Sequence, residues 1–405
     1  RVLCYNVVVK KTLITKGNQA MAYHNTILSQ ILKLIPRLEF ERLGNQHDGR
    51  RRSDALSRWS QFVALSIGQL AGRTSLRDIE ATLHSKSHHQ YHLGSQSVSR
   101  SALGRANEQL DYAFYTSLFQ SLYQRCANHA PGHGFRFKNK LFSLDGTLIS
   151  LSMKVFPWAD YNCKKAAFKV HIGLDHDGLI PAFAAITLGR ESETSQARLW
   201  NYPKGSVLVF DKGYNSYQWH NTLTDKGLIW VTRIRGNALY RVLERRSTGN
   251  NSAVTSDQTI EYTGKQAHKT PLRPIRRIGY RDPETNKHYV FITNNFRWSA
   301  QTIADIYKQR WQVELFFKWI KQNLKIKSFL GTTENAVMTQ VMVALCNYLL
   351  LAYLKFKSKA AFSLQKIIRL LQTNLFSRRS LLGLMRPINT DRPPDMQLQL
   401  SLVRN

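Results

Sequence analysis

The chain has 405 residues, 43% hydrophobic and 21% charged, a balance that excludes wholesale disorder and leaves room for two or three domains of roughly 100–200 residues. Its 58 Lys and Arg against 26 Asp and Glu give a formal charge of +32; that excludes the surface of a typical metabolic enzyme and points to a polyanion, either nucleic acid or an anionic membrane. Cys4, Cys126, Cys163 and Cys346 are far apart with no C-x-x-C pair, which excludes a disulfide framework or zinc ribbon and fits a reducing cytosol.

Residues 1–20 carry no sustained apolar run and no small-residue cleavage site, so they do not read as a signal peptide. The first Met is Met21, and the amphipathic spacing of Ile27, Ile31, Leu32 and Ile35 starts directly after it. The expectation is that 1–20 are upstream sequence outside the fold.

From 21 to about 130 the apolar spacing predicts an all-helical domain, with helices near 26–36, 53–71, 75–84, 99–110 and 113–126. The helices at 75–84 and 99–110, the second with Arg100 and Arg105 in its first turns, suggest a helix-turn-helix-like DNA reader. A plain helical bundle with solvated arginines is the alternative. Between them His84, His88, His89 and His92 lack a completing carboxylate or cysteine and read as a polar loop.

Beyond 130 the pattern turns to strands. Residues 141–151, 167–175 and 179–188 are the first three, and His176, Asp177 and Gly178 predict a hairpin turn between the last two. Asp175 and Asp177 read as turn residues, Glu191 and Glu193 as solvated loop residues with a supporting role at the nearby strand ends as the alternative, and Lys164, Lys165 and Lys169 as a basic run that either follows a DNA backbone or lies on an exposed loop. A helix at 193–200, a strand at 206–211, a helix at 216–224 and a strand at 228–234 follow, so the fold class is mixed α/β. Residues 238–295 read as further strands, an insertion before one long helix at 302–324. The most apolar window, 337–354, contains Thr339, Gln340 and Asn347 and reads as a buried core helix, not a membrane span.

Three acids stand where this architecture brings them together: Asp145 in the first strand, Asp211 at the end of the fourth and Glu314 in the long helix. Three converging carboxylates require a compensating cation, and oxygen ligation suits Mg²⁺ or Mn²⁺, two of which would serve phosphoryl transfer. At about 100° per residue, Tyr307, Arg310, Glu314 and Lys321 share one stripe of the helix within about 60°, beside the apolar set Ile306, Val313, Phe317, Ile320 and Leu324. That stripe suits a phosphate beside a metal, with Tyr307 or Trp311 available to stack on a base. A solvated charged face is the alternative.

The spacing Y-x2-R-x3-E-x6-K at Tyr307, Arg310, Glu314 and Lys321 resembles the YREK signature of DDE transposases of the insertion-sequence-4 family. Asp211, Lys212, Gly213 and Tyr214 resemble that family's D-[RK]-G-Y motif, and Ser143, Asp145 and Thr147 resemble its first-aspartate strand. The resemblance implies a ribonuclease-H-like catalytic core at 131–237 and 296–382, with a β-rich insertion at 238–295, an all-helical DNA-binding domain at 21–130 and a tail at 383–405. It implies Asp145, Asp211 and Glu314 as ligands of two Mg²⁺ or Mn²⁺ ions. It also implies Tyr307, Arg310 and Lys321 on terminal phosphates and Trp311 on a displaced base. The function implied is a transposase that cuts DNA at the terminal inverted repeats of a bacterial insertion sequence and joins the ends to target DNA. Its partners would be double-stranded DNA and a second copy in a synaptic complex, at the nucleoid of a bacterial cytoplasm. A nuclease that cuts without joining and a catalytically silent DNA-binding relic are the alternatives.

Overall fold

The structure, a computed structural model, describes residues 24–48, 56–162, 165–248, 253–265, 269–270 and 272–386. The expectation for 1–20, together with Cys4, Cys163 and Lys164, lies outside them.

Seven helices open the described chain: α1 (Ile27–Leu32), α2 (Arg37–Asp48), α3 (Arg58–Leu70), α4 (Leu76–Ser85), α5 (Ser87–Leu93), α6 (Arg100–Gln109) and α7 (Ala113–Ala127). Thr26, Ser57, Ser75 and Ser99 start four of them, each side chain accepting a backbone N–H of the first turn. Two elements depart from the sequence reading. α2, for which no helix is predicted, is polar apart from a few positions and is held by Phe40, whose ring meets Trp59 edge-on at 4.9 Å. The His-rich stretch is helix α5 and not a loop: Gln90 Nε2 donates to the Leu83 carbonyl (3.1 Å), Leu93 is buried, and Gly94 ends it in the left-handed region (φ 60°). α4 and α6 are therefore separated by a helix rather than a short turn.

The strands are β1 (Leu141–Leu151), β2 (Asp160–Asn162), β3 (Lys165–Asp175), β4 (Ile180–Leu188), β5 (Val207–Phe210), β6 (Ile229–Arg233), β7 (Tyr240–Arg246), β8 (Val254–Tyr262), β9 (Ile275–Arg281) and β10 (His288–Thr293), all in one sheet. The order β4-β3-β1-β5-β6 has its first three strands antiparallel, while β5 runs parallel to β1 and to β6. β10 then adds antiparallel to β6, followed by β9, β8 and β7. The strands expected as an insertion thus lengthen the same sheet. The predicted hairpin joins β3 to β4, with Gly178 at φ 74°. Asp175 is more than a turn residue: it is fully buried and accepts from Tyr123 Oη and Lys140 Nζ, both at 2.8 Å.

Alternation along the strands sends Phe142, Leu144, Leu208, Phe210 and Trp230 to one face, beneath α8 (Glu193–Leu199) and α9 (Tyr217–Asp225). Leu141, Val207, Val209 and Val231 go to the other, beneath α10 (Ala300–Gln309). Phe168, Val170, Ile172 and Leu174 of β3 join a third cluster with α7, α11 (Trp311–Asn323), α12 (Glu334–Ser358), α13 (Leu364–Asn374) and α14 (Leu381–Leu384). α12 is the predicted core helix. It is long and apolar enough to cross a membrane, yet its apolar length is enclosed by protein, with α3, α6 and α7 packed along it. Its buried Asn347 Nδ2 donates to the Val343 carbonyl and to Ser66 Oγ. The helices read as a separate unit therefore share one core with the other end of the chain.

Candidate active site

The last β1–β5 pair is Leu144 with Phe210. Asp145 is the first residue of β1 past the end of β5, and Asp211 is the residue that follows β5, so two acids leave adjacent strands at one level. Asp211 caps a short 3₁₀ turn over Lys212–Tyr214: its Oδ1 accepts the Gly213 N–H at 2.6 Å. A Cβ on Gly213 would stand 2.8 Å from that oxygen, so a larger residue there would push the Asp211 carboxylate off its N–H partner. Tyr214, 2% exposed, anchors it against Phe210 and Trp219.

Glu314 arrives from the covering helices. The single helix expected at 302–324 is instead two, α10 and α11, meeting at Arg310. Arg310 keeps helical angles (φ −53°, ψ −31°), but its N–H bonds to the Tyr307 carbonyl and its own carbonyl accepts from Val313, both three residues apart. This tightened turn lets Arg310 point into the site, its Nη2 on Glu314 Oε1 (2.5 Å) and its Nη1 3.9 Å from Asp145 Oδ2. Lys321, two turns on, donates to Thr147 Oγ1 at 2.5 Å and reaches the Leu148 carbonyl at 3.3 Å. Arg310 therefore bridges two of the three acids, while Lys321 pins α11 to β1.

Burial pushes the Asp145 carboxyl up to about 7; the Gly146 N–H and the Arg310 guanidinium oppose this, and the charges of Glu193 and Asp211 add to it. For Arg310 burial acts against the charge, but the hydrogen bond to Glu314 and the surrounding acids outweigh it and raise its pKa. Burial lowers that of Lys321, helped by Lys327.

Tyr307 packs its ring on Phe291 at 4.8 Å. Trp311, 55% exposed, lines a cleft of about 300 Å³ with Asp211, Arg233, Tyr289, Tyr307 and Arg310. A larger cavity, about 940 Å³, lies beside His133, His176 and Lys308 and takes in none of the three acids. Arg100 and Arg105 are exposed on α6, whose helix contacts are with α3, α4 and α12.

One residue stands nearer the site than the favoured sequence reading put it. Glu193, read as solvated with a supporting role as the alternative, opens α8 with its carboxylate against Gly146 and 3.4 Å from Lys169 Nζ. Lys165 and Lys169 belong to β3 itself, and Lys169 is turned to this carboxylate rather than lying on an exposed loop. The signal available in sequence was the glycine next to Asp145, which marks a close approach in a strand.

No group of three His, Cys, Asp or Glu is arranged to hold a metal among the described residues. The donor chemistry nevertheless fits a hard divalent cation: the donors are carboxylates, and a guanidinium occupies the space between Glu314 and Asp145 with its Nε buried and unpartnered. A cation ligated there would require Glu314 to turn away from Arg310.

The site defines an enzyme with carboxylates and cations gathered at the open edge of a mixed sheet, an arrangement fitted to phosphate chemistry. Residues 136–350 match the transposase DDE domain model, and residues 23–96 match a domain of unknown function (DUF4372). The protein named transposase y4zB of Sinorhizobium fredii is 32% identical over 248 residues, 60% of this chain and 69% of that protein. The protein named transposase for insertion sequence element IS5377, from Geobacillus stearothermophilus, is 30% identical over 262 residues, 64% of this chain and 68% of its own length. A cryo-EM structure of the piggyBac transposase synaptic complex with hairpin DNA aligns over 90% of this chain and 81% of that chain, at 12% identity and a TM-score of 0.42. The chain belongs to the DDE transposase family and is an enzyme of DNA transposition. The family as a whole depends on divalent metal, and the sheet order β4-β3-β1-β5-β6 fits its ribonuclease-H-like core.

Proposed function

We propose that this transposase binds the terminal inverted repeats of a bacterial insertion sequence, cleaves the DNA at its ends and joins the freed 3′ ends to target DNA. The observation that carries this reading is the convergence of Asp145, Asp211 and Glu314 at the edge where β5 ends, with Arg310 between two of them. In this reading the three acids hold two Mg²⁺ or Mn²⁺ ions. Such ions, when bound, activate the attacking oxygen and offset charge on the departing one. Glu314 turns from Arg310 to the metal side, which frees the guanidinium for a bidentate grip on a phosphate next to the scissile bond. Lys321 supplies a point charge to the same phosphate and keeps α11 on β1 through Thr147. Tyr307 lines the path of the strand, and Trp311 with its cleft receives a displaced base. The fixed spacing of Tyr307, Arg310, Glu314 and Lys321 supports reading the chain as one of the insertion-sequence-4 family. Arg100 and Arg105 on α6 read the inverted repeat, and two copies synapse two ends.

The test is a strand-transfer assay on a pre-cut terminal repeat with its 3′-OH exposed, incubated with supercoiled target in Mg²⁺. Joined product is the expected result. Metal-dependent nicking without joining would make the protein a nuclease, and no metal-dependent chemistry at all would leave only DNA binding.

A further inference from the structure

Glu193 lies outside the signature that brings the other acids together, yet three features of the fold converge on it. β5 stops at the pair Leu144 and Phe210, so from Asp145 onward that edge of β1 has no neighbouring strand among the described residues. Side chains from both faces of the sheet can meet at such an edge. From one face come α10 and α11 with Arg310 and Glu314; from the other comes α8, whose Ala197 is buried beside Phe142 and Leu208. Secondly, the strand position under the Glu193 side chain is glycine. A Cβ on Gly146 would stand 2.9 Å from Cγ, 3.0 Å from Cδ and 3.0 Å from Oε1 of Glu193, so the missing methyl group is the space the carboxylate occupies beside the Asp145–Gly146 peptide. Thirdly, its one cationic partner among the described residues is Lys169, 3.4 Å away, whose Nζ also donates to the Glu191 carbonyl at 3.0 Å. Lys169 sits opposite Leu148 on β1 and only 13% of its side chain is exposed.

We propose that Glu193 is a fourth carboxylate of the divalent-cation site, held beside Asp145 by the gap at Gly146, with Lys169 as its counter-ion while no cation is bound. The inference rests on the site reading above. It gives Lys169 the part that Arg310 plays for Glu314: each cation compensates an acid in the metal-free protein and yields it when metal arrives. Four carboxylates with two cations at hand still favour a divalent ion of hard, oxygen-seeking character.

The test is Mn²⁺ binding to the full chain without DNA, followed by electron paramagnetic resonance, for the wild type, Asp145→Asn, Glu193→Gln and Lys169→Gln. Glu193→Gln should weaken Mn²⁺ by about 10-fold or more, the loss typical of removing a close partner of a metal site. Lys169→Gln should strengthen it, because the carboxylate loses its competitor. Glu193 is 30% and Lys169 13% exposed along the side chain, glutamine keeps most of either volume, and circular dichroism on each variant verifies the fold. If Asp145→Asn weakens Mn²⁺ while Glu193→Gln and Lys169→Gln leave it unchanged, Glu193 is only the partner of Lys169 and the inference fails with the site reading intact. If Asp145→Asn has no effect either, the site reading fails with it. Glu193→Cys adds a functional readout: activity lost in Mg²⁺ and regained in Mn²⁺ supports ligation, and equal activity in both opposes it.

Discussion

At the scale of single residues, Glu314 and Arg310 form an ion pair that serves two states in the proposed mechanism. Their 2.5 Å contact neutralises a carboxylate that is a third exposed and a guanidinium that is largely buried, so neither stands as an uncompensated charge before substrate arrives. Glu314→Gln keeps the volume and the hydrogen bond but removes the charge. Cleavage should fall by about three orders of magnitude or more while DNA affinity changes less than about twofold, since affinity comes mostly from Lys and Arg on phosphates. Gel-shift and single-turnover cleavage on the same DNA decide it; near wild-type cleavage would remove Glu314 from the chemistry. Asp145→Asn and Asp211→Asn should behave alike. A different residue controls acid stability. His220 is fully buried between Phe210 and Trp230, stacked on the latter at 4.1 Å, and both ring nitrogens lack partners. Burial pushes its pKa down from 6.5 to about 3, and burial likewise lowers His171 and His176 to about 4. The unfolded chain takes up these protons first, so their contribution is fully present above about pH 6.5 and is lost as pH falls toward 4 for His171 and His176 and toward 3 for His220. His220→Phe keeps the stack and removes one such group: its melting temperature should exceed wild type at pH 5, with a smaller difference at pH 8. An equal gain at both pH values would assign the effect to packing.

At the scale of elements, the edge of β1 beyond β5 gathers groups from two helical layers, and Gly146 is the position that lets them meet. Gly146→Ala places a methyl group against the flexible end of Glu193, which can swing aside. Alanine also regains the roughly 0.5–1 kcal/mol that glycine forfeits inside a strand. Thermal melting should therefore show a fold at least as stable, while Mn²⁺ affinity falls as in Glu193→Gln; unchanged affinity would mean the carboxylate does not need that gap. The same edge explains what the sequence could and could not reveal. Alternation and glycine-marked turns made β1, β3, β4, β5 and β6 legible, and serine caps announced α4 and α6. The apolar stripe of the long helix was legible too, since Val313, Phe317 and Ile320 are buried as their spacing implies. The break at Arg310 was not, because its angles are helical and only the hydrogen-bond pattern shortens. α2 and α5 were missed for lack of an apolar stripe: in α2 only Phe40 is buried. Glu193 was legible only as a solvated residue or a supporting one, because nothing local to 189–193 shows which strand edge its helix begins over.

At the scale of the whole molecule, the amino-terminal helices and the catalytic sheet are joined through α12. From Ala336 to Leu354 that helix is buried, and α3, α6 and α7 cover part of it. Removing residues before 131 would uncover this apolar surface, so a truncated core would report on misfolding rather than on DNA recognition. The role proposed for α6 is better tested by point substitution in the full chain. Arg100 opens the helix, where its backbone N–H is already taken by Glu80 Oε1 at 2.9 Å, which leaves the exposed side chain for a DNA partner; Arg105 is exposed one and a half turns further along. A recognition helix meets phosphates and base edges with such residues near its start, and each base-specific contact is worth about 1–3 kcal/mol of discrimination. Replacing both by Ala should therefore lower the preference for the element's terminal repeat over random duplex by about 10-fold or more. Affinity for random duplex should fall far less, because the rest of the +32 chain still neutralises phosphates. The two effects separate in a salt titration: lost base contacts reduce the affinity ratio at every salt concentration, whereas lost phosphate contacts flatten the slope of log affinity against log salt on both DNAs by about one per contact. A preserved ratio with a flattened slope would make α6 a backbone clamp, and sequence reading would have to come from another surface of the chain.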